Sequence, residues 1–520
     1  MENSNLVYGV KDRPNFGKIL VFALQQLLAI LAATIAVPAI IGNGMSQSAA
    51  LFGAGAGTLI YLLFTKFKSP VFLGSSFAFL GSMAAAFAGA ITIGDNVGFI
   101  GLLLGAILAG LVYVVLSLII KFCGTGWINK LMPAVVIGPT VAIIGLSLAG
   151  NAVGDLTGGA AGGIFQWRNT LCLFCGLVTL FTTIIVSVFG KKMLKMIPFI
   201  IGIAAGYLVA TCITAFGHFT DHDSLVLIHF EAFKDMEWIP DFAFIKAFGA
   251  FKHFDGAGQF FTYFGTIALA YIPVAFVVFA EHIADHKNLS SIINEDLLTD
   301  PGLDKTLLGD GVGSMVGAFF GGCPNTTYGE SIGCVAISGN ASVVTILCTA
   351  IMAIIASFIA PFTTLLATIP SCVMGGVCVA LYGFIAVSGL KMIQNVDLGD
   401  NRNLFVVSVI LICGVGGLAI SVQVNDTQAI TLTAIACALI LGIITNLICS
   451  IGRKEKAVSV IDSGYDADEF EDSLKAELEE EVQEEEKEET DELTLKDLDI
   501  LKEQGLISEE EYEEKKKNLK

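Results

Sequence analysis

The stretch from Gly321 to Gly333 (GGCPNTTYGESIG) sets a proline, several polar side chains and a carboxylate between segments apolar enough to cross a bilayer. A helix facing lipid cannot carry that load. Each unpaired polar group in hydrocarbon costs several kcal/mol, so irregular backbone survives at membrane depth only inside protein or against a cavity. An interrupted helix with an acid at its opening is how membrane transporters build a solute site. The chain is therefore expected to be a polytopic, all-α membrane protein with a solute site at this break.

The rest of the chain fits that frame. Of 520 residues 54% are apolar and only 15% are charged, against about 25% charged in soluble domains. The net charge of −19 belongs to one end, because residues 461–520 hold 25 acidic and 8 basic residues. The remaining body is near neutral, so the acidity implies no basic ligand for it. The first apolar run, Phe16 to Ile41, is too long for a signal-peptide core and lacks a small-residue cleavage site after it. It reads as a retained span. Cys172 and Cys175 form a CxxC inside an apolar run and read as small core residues, not as a metal or redox pair.

Apolar segments fall near 17–41, 47–65, 70–92, 98–121, 131–150, 168–189, 196–216, 260–285, 307–321, 323–340, 341–362, 370–390, 403–424 and 428–450. Several are too short to cross as simple helices. Lys and Arg mark every second connection: Lys11, Arg13 and Lys18, then Lys66 and Lys68, Lys121 and Lys130, and Lys191, Lys192 and Lys195. Lys287 and Lys305, Lys391 and Arg402, and Arg453, Lys454 and Lys456 complete the series. By the positive-inside rule both termini are expected in the cytoplasm, and 217–258 is expected outside, with a hairpin or a short interfacial helix. A second polar break, Leu73 to Phe79 (LGSSFAF), lies about 250 residues before Glu330. Gln25 and Gln26, deep in the first span, stand at nearly the same offset before Glu281. Paired interruptions in two halves point to an inverted repeat.

Beyond residue 453 the chain changes character. Residues 454–492 read as an acidic, disordered linker. Residues 493–520 read as a short helical hairpin, with a stop at Gly505 and a capping box from Ser508 to Glu511. Gly505 to Tyr512 resembles a short C-terminal domain appended to many bacterial proteins. That likeness implies an interaction or oligomerisation role; a dispensable solvated tail is the alternative, and the partner is unknown.

Carboxylates inside spans are rare because each costs about 2.5–3.5 kcal/mol on insertion scales. The candidates are Glu281, Asp285 and Glu330. Glu281 and Asp285 are spaced i,i+4 and share a helical face. An ionised carboxyl only accepts hydrogen bonds and a protonated one can donate, so such groups suit a neutral solute with ring N–H and C=O groups. They can also load a proton on one side and release it on the other. The alternative is a structural acid bonded to backbone at a helix break. His282 and His286 read as packing or interfacial groups. Asn325, Thr326 and Thr327 are expected to cap a half-helix starting near Tyr328, whose N-terminus would offer a partial positive charge to solute carbonyls. Gly329 allows close backbone approach. Phe77 offers a ring face for a planar solute, with ordinary core packing as the competing reading. No P-loop, metal-ligand cluster or nucleophile–base pattern is seen, so an enzyme is not expected.

Pro324 to Gly333, with Leu73 to Phe79, Phe279 to Ile283 and Asp300 to Leu303, resembles the signatures of the nucleobase–ascorbate transporter family (nucleobase–cation symporters), in its uracil permease branch. The resemblance runs over about residues 8–450. It implies fourteen segments as two inverted seven-span repeats, with short strands in the third and tenth. It implies a core domain (about 17–121 and 260–362) sliding past a gate domain (about 131–216 and 370–450) within a 1–453 transporter. It also implies a homodimer in the cytoplasmic membrane, a bound uracil or related nucleobase, the proton as coupling ion, no other cofactor and no nucleic acid. Carried over by position, Glu281, Glu330, Gly329, Phe77 and Tyr328 would contact the base, and Glu281 with Asp285 would couple the proton. Xanthine and urate members usually carry a different run where this chain has NTTYGE, which favours uracil over a purine; an anion transporter or channel on a related fold is a further alternative. Two departures stand out. Gln26 occupies the place of a histidine that often follows the first-span glutamine. Asp285 occupies the place where some uracil permeases carry a histidine thought to assist coupling.

Overall fold

Apolar runs in a bilayer must satisfy their own backbone hydrogen bonds, and this chain does so as a mostly helical bundle. The structure, a computed structural model, describes residues 6–124, 127, 133–164, 166–191, 193–222, 225–234, 236–394, 396–425 and 428–451. These belong to the compact unit Met1–Tyr465; a second unit, Asp466–Lys520, lies outside the described residues. The acidic linker, the C-terminal hairpin and the basic residues Lys130, Lys192, Arg453, Lys454 and Lys456 lie outside them as well.

The first long helices are α1 (Phe16–Ile41) and α2 (Gln47–Phe64), followed by the strand β1 (Leu73–Ser75). A 3-10 turn at Phe77–Phe79 then leads into α3 (Leu80–Ala90), and α4 (Val97–Cys123) follows. Next come α5 (Ala134–Ser147), α6 (Ala149–Leu156), α7 (Trp167–Phe189) and α8 (Pro198–Thr220). After α9 (Ala243–Ala250) and the 37-residue α10 (Ala257–Ile293) the second polar region begins. It comprises α11 (Leu303–Gly321), the strand β2 (Asn325–Thr327) and α12 (Gly329–Ser338). The chain closes with α13 (Val343–Ser357), α14 (Ala360–Ala367), α15 (Ser371–Lys391), α16 (Asn401–Val415), a hairpin of β3 (Ile420–Asn425) and β4 (Gln428–Leu432), and α17 (Ala434–Cys449).

Eight described helical spans, α5 and α6 counted as one, are long and apolar enough to cross a membrane; α13 and α14 together would make a ninth, bent by 82°. The chain is thus a multi-pass membrane protein. Two expected segments take another form. The expected span 403–424 stops as a helix at Val415. The sequence Ile420-Ser421-Val422-Gln423-Val424 then alternates apolar and polar residues, the period of a strand, and pairs antiparallel with β4. The next segment, 428–450, accordingly becomes helix only from Ala434. Region 217–258 contains the short helix α9 and two 3-10 turns, and no strand pair among the described residues.

Packing falls into two groups. Helix α11 lies along α2 and α4, with α10 beside α4 and α3, and α1 against α13 and α2. In the other group α15 packs on α5, α6 and α7, while α7 meets α8 and α16 meets α17 and α5. Cys172 and Cys175, both free thiols, are buried on α7.

Candidate functional site

The two polar breaks meet. Strand β1 pairs antiparallel with β2, Leu73 opposite Thr327, Gly74 opposite Thr326 and Ser75 opposite Asn325. The Ser76 amide continues the ladder to the Pro324 carbonyl at 2.9 Å. Both strands are buried throughout. Neither could exist alone at this depth, because an isolated strand leaves its amides and carbonyls unpaired. Each strand feeds a short helical stretch, the Phe77 turn with α3 on one side and α12 on the other. Because the strands are antiparallel, these two stretches leave opposite ends of the pair.

Side chains from several elements fix this sheet in place. The Thr58 hydroxyl accepts from the Leu73 amide at 2.9 Å. Asn325 Nδ2 donates to the Gly53 carbonyl at 3.2 Å. That reach is possible because Gly317 has no side chain; a Cβ there would occupy the Asn325 amide. The Tyr328 hydroxyl donates to the Ser75 carbonyl at 2.8 Å, its ring lying where a Cβ on Gly74 would fall. Gln26 Nε2 donates to the Ser331 hydroxyl at 2.6 Å, and the Phe72 amide donates to the same oxygen at 3.1 Å. One small hydroxyl therefore ties α1, β1 and α12 together. The N-terminal segment secures the far end of α12. The Tyr8 amide donates to Gly339 O at 3.0 Å and Tyr8 O accepts from Ala341 N at 2.8 Å.

The expected caps of the half-helix are a correction. Tyr328, in extended backbone, is the residue before α12, and no side chain caps the helix. Asn325, Thr326 and Thr327 are committed to the strand. The Thr327 hydroxyl donates instead to Asp285 Oδ2 at 2.5 Å, and Thr326 Oγ1 is buried with no hydrogen-bond partner among the described residues. A strand directly abutting the helix leaves these residues no geometry for capping. The α12 N-terminus consequently keeps its partial positive charge, with the Glu330 carboxyl bonded to its own amide and no cap from the preceding residues.

The anticipated residues lie on the elements that flank the strand pair. Glu330 is half-buried in the first turn of α12, and Gly329 is exposed. Beyond its chain neighbours and its own helix backbone, no atom lies within 4 Å of the position a Gly329 Cβ would take. Glu281 and Asp285 are half-buried one turn apart on α10, and Glu281 interacts electrostatically with Asp285, Glu330 and Asp310. Phe77 is nearly buried, its ring edge-on to Tyr382 of α15 with centroids 5.9 Å apart. The Tyr328 side chain is buried and occupied by Ser75, so only its backbone is placed to face the open space. This set can accept hydrogen bonds at two carboxyls and donate them from helix amides, the needs of a small neutral ring. Among the described residues no group of three or more His, Cys, Asp or Glu is arranged to hold a metal.

His282 and His286 are fully buried and hydrogen-bonded, which corrects the interfacial reading. Two contributors were not singled out from sequence. Asp310 on α11 is buried against His282; as a carboxylate inside an apolar segment it carried the same signal as Glu281. Ser331 carried none, since its partners Gln26 and Phe72 lie about 300 and 260 positions away in sequence.

Comparison with known proteins bears on this arrangement. Residues 17–423 match the Permease family (Xan_ur_permease), a nucleobase–ascorbate transporter family. A uracil permease of Bacillus caldolyticus is 39% identical over 461 residues, covering 88% of this chain and 97% of that protein. A uracil permease of Bacillus subtilis (strain 168) is 38% identical over 460 residues, covering 88% and 98%. Among solved structures, the transmembrane domain of a cyanobacterium bicarbonate transporter, BicA, superposes with a TM-score of 0.55 at 16% identity, covering 85% of this chain and all of that one. At that identity the likeness speaks to fold alone.

Proposed function

The chain belongs to this permease family, and we propose that it imports uracil across the cytoplasmic membrane as a proton symporter. The observation that supports the reading is the electrostatic interaction of Glu281 with Glu330, together with the open space at Gly329 and a strand pair built from both halves of the chain. Uracil presents two N–H donors and two C=O acceptors on a flat ring. In this reading Glu281 and Glu330 take the N–H groups, the amide at Gly329 faces a carbonyl, and Phe77 borders the ring. The relatives named above are uracil permeases, which supports uracil as the base.

In this account Glu281 carries the coupling proton with Asp285. Fourteen segments form two inverted seven-span repeats, and the core (about 17–121 and 260–362) moves past the gate (about 131–216 and 370–450) in an elevator motion. The protein works as a homodimer with both termini in the cytoplasm, and the tail from 454 serves an interaction separate from transport. The two packing groups and the strand pair joining positions about 250 residues apart support this division. An anion carrier on the same fold is disfavoured, since two carboxyls at the site would repel its substrate.

Binding by the purified full chain tests the substrate. Saturable uracil binding is expected, with Glu330→Gln weakening it by about 10- to 100-fold, the equivalent of losing one hydrogen bond to a charged group. Competition by xanthine as strong as by uracil would move the assignment to purines.

A further inference from the structure

A second set of titratable groups is buried behind the site carboxyls, and the reading above gives it no task. Tyr61 of α2, Ser69 of the α2–β1 link, His282 and His286 of α10, and Thr306 and Asp310 of α11 are all fully buried. They are joined by short contacts. His286 Nδ1 lies 2.8 Å from the His282 carbonyl oxygen, an acceptor only, so Nδ1 must carry a proton and donate. Its Nε2 lies 2.6 Å from the Tyr61 hydroxyl, which in turn donates to the Ser69 hydroxyl at 2.7 Å.

This chain can hold its protons in two arrangements. With His286 neutral, the Tyr61 hydroxyl turns from Ser69 to donate to Nε2, and the Ser69 hydroxyl turns to donate to Tyr61. With His286 charged, Nε2–H donates to Tyr61 and Tyr61 donates to Ser69. Passing between them moves one proton. It enters at Ser69 Oγ, Ser69 hands its own to Tyr61, and Tyr61 hands its own to Nε2. No bond between heavy atoms changes.

The neighbouring pair responds to that proton. Thr306 Oγ1 donates to the Leu303 carbonyl at 3.2 Å and lies 3.1 Å from His282 Nε2, which must then donate. The contact of His282 Nδ1 with Asp310 Oδ2, at 2.8 Å, therefore holds one more shared proton. The two imidazole rings are 4.0 Å apart between centroids. A charge arriving on His286 repels positive charge on His282 and drives the shared proton toward Asp310. Asp310 Oδ1 is buried and has no partner among the described residues, as has the Tyr113 hydroxyl of α4. The pair is thus not locked by further hydrogen bonds on that side.

The ends of the set have different surroundings. Ser69 adjoins Lys68, whose ammonium pairs with Asp300 at 2.6 Å where both side chains reach solvent. At the other end stand Glu281 and Asp285 of α10 and Glu330 of α12, which interact electrostatically with one another; Asp310 and Asp285 also act on Tyr61. We propose that Ser69, Tyr61 and His286 form the path by which the coupling proton exchanges with solvent at the Lys68–Asp300 rim, with His286 as its buried holder and His282–Asp310 as the pair that senses its charge. The proposal rests on the symport reading and extends it, because it places a proton station outside the substrate carboxyls.

The test separates net transport from exchange in vesicles reconstituted with the full chain. Exchange of labelled for unlabelled uracil needs substrate binding and carrier movement, with no net proton release. Net uptake driven by a proton gradient needs release in every cycle. Tyr61→Phe keeps the ring and removes the relay hydroxyl; His286→Gln keeps a hydrogen-bonding side chain and removes the titrating group. Both are expected to keep exchange and to lose net uptake by about tenfold or more, the scale on which a positioned proton-transfer group acts. Net uptake like the wild type in either variant overturns the proposal. A parallel fall of exchange and net uptake in both overturns it as well, since that is what damaged packing produces. In each of these cases the wild type remains a symporter. Wild-type vesicles with no uracil exchange would refute the substrate reading and this proposal together.

Discussion

Replacing Gly329 with alanine separates binding from folding at the proposed site. Gly329 opens α12 with ordinary helical backbone and is absent from the positions of positive φ, so alanine introduces no strain. Beyond its chain neighbours and its own helix backbone, no atom lies within 4 Å of the new Cβ, so it clashes with no other group. Alanine is the better helix former by up to about 1 kcal/mol, and less at a terminal position. The melting temperature of Gly329→Ala is therefore expected to equal or exceed that of the wild type. If the nucleobase occupies the space beside Gly329, the same methyl intrudes on it. Inserting a methyl group into a well-packed contact costs about 1–3 kcal/mol, which is about 5- to 150-fold in Kd. Isothermal titration with uracil and a thermal melt on the same preparation read both quantities. Gly383→Ala supplies the control, because Gly383 on α15 is equally open but faces outward from the bundle; its affinity should not change. Wild-type affinity in Gly329→Ala would refute the placement of the base. Weakened affinity accompanied by a lower melting temperature would refute the premise that the space is free.

Three further outcomes follow from the same geometry. Ser331→Ala removes the acceptor shared by Gln26 and the Phe72 amide; Gln26 keeps the Ser331 carbonyl, but the buried Phe72 amide is left unpaired at a cost of about 1–3 kcal/mol, so a lower melting temperature is expected, and an unchanged one would contradict the tie between α1, β1 and α12. Gly74→Ala drives a methyl into the Tyr328 ring, which adjoins Gly329, so stability and uracil affinity should fall together, unlike Gly329→Ala. Lys68→Gln removes an ion pair at an exposed rim, where such pairs contribute little, and should leave the melting temperature at neutral pH unchanged. Lys68 holds the Asp300 carboxyl below its usual range, so whatever the pair contributes is present at neutral pH and disappears as pH falls through that lowered range.

Much of this site is legible in the chain because membrane depth makes polarity conspicuous. Glu281, Asp285 and Glu330 stand out as acids in apolar runs, and the Gly-Ser and Asn-Thr breaks mark where the helices stop. The pairing of the breaks is less legible. Leu73 to Ser75 and Asn325 to Thr327 are three-residue strands with no alternating pattern of their own, and each is stable only against the other. The same pairing explains the misread caps: once Thr327 belongs to a strand, its hydroxyl points to Asp285 and not back to the helix. The late hairpin was hidden by its apolarity. Ile420, Val422 and Val424 raise the segment's hydropathy as a span would, and only their spacing of two marks a strand. The fold of the remaining helices follows from long apolar runs, whose lengths agree with α1, α2, α4, α7, α8 and α15 to within a few residues.

Uptake of labelled uracil into cells lacking their own uracil permease, with and without a protonophore, tests the central claim most directly. Cells expressing the full chain should concentrate uracil, and the protonophore should collapse that accumulation. Glu281→Gln, present in the membrane at the same level, should accumulate none. Accumulation that survives the protonophore, or that persists in Glu281→Gln, would contradict proton-coupled transport through these carboxyls; no uptake above empty-vector cells would contradict uracil as the substrate.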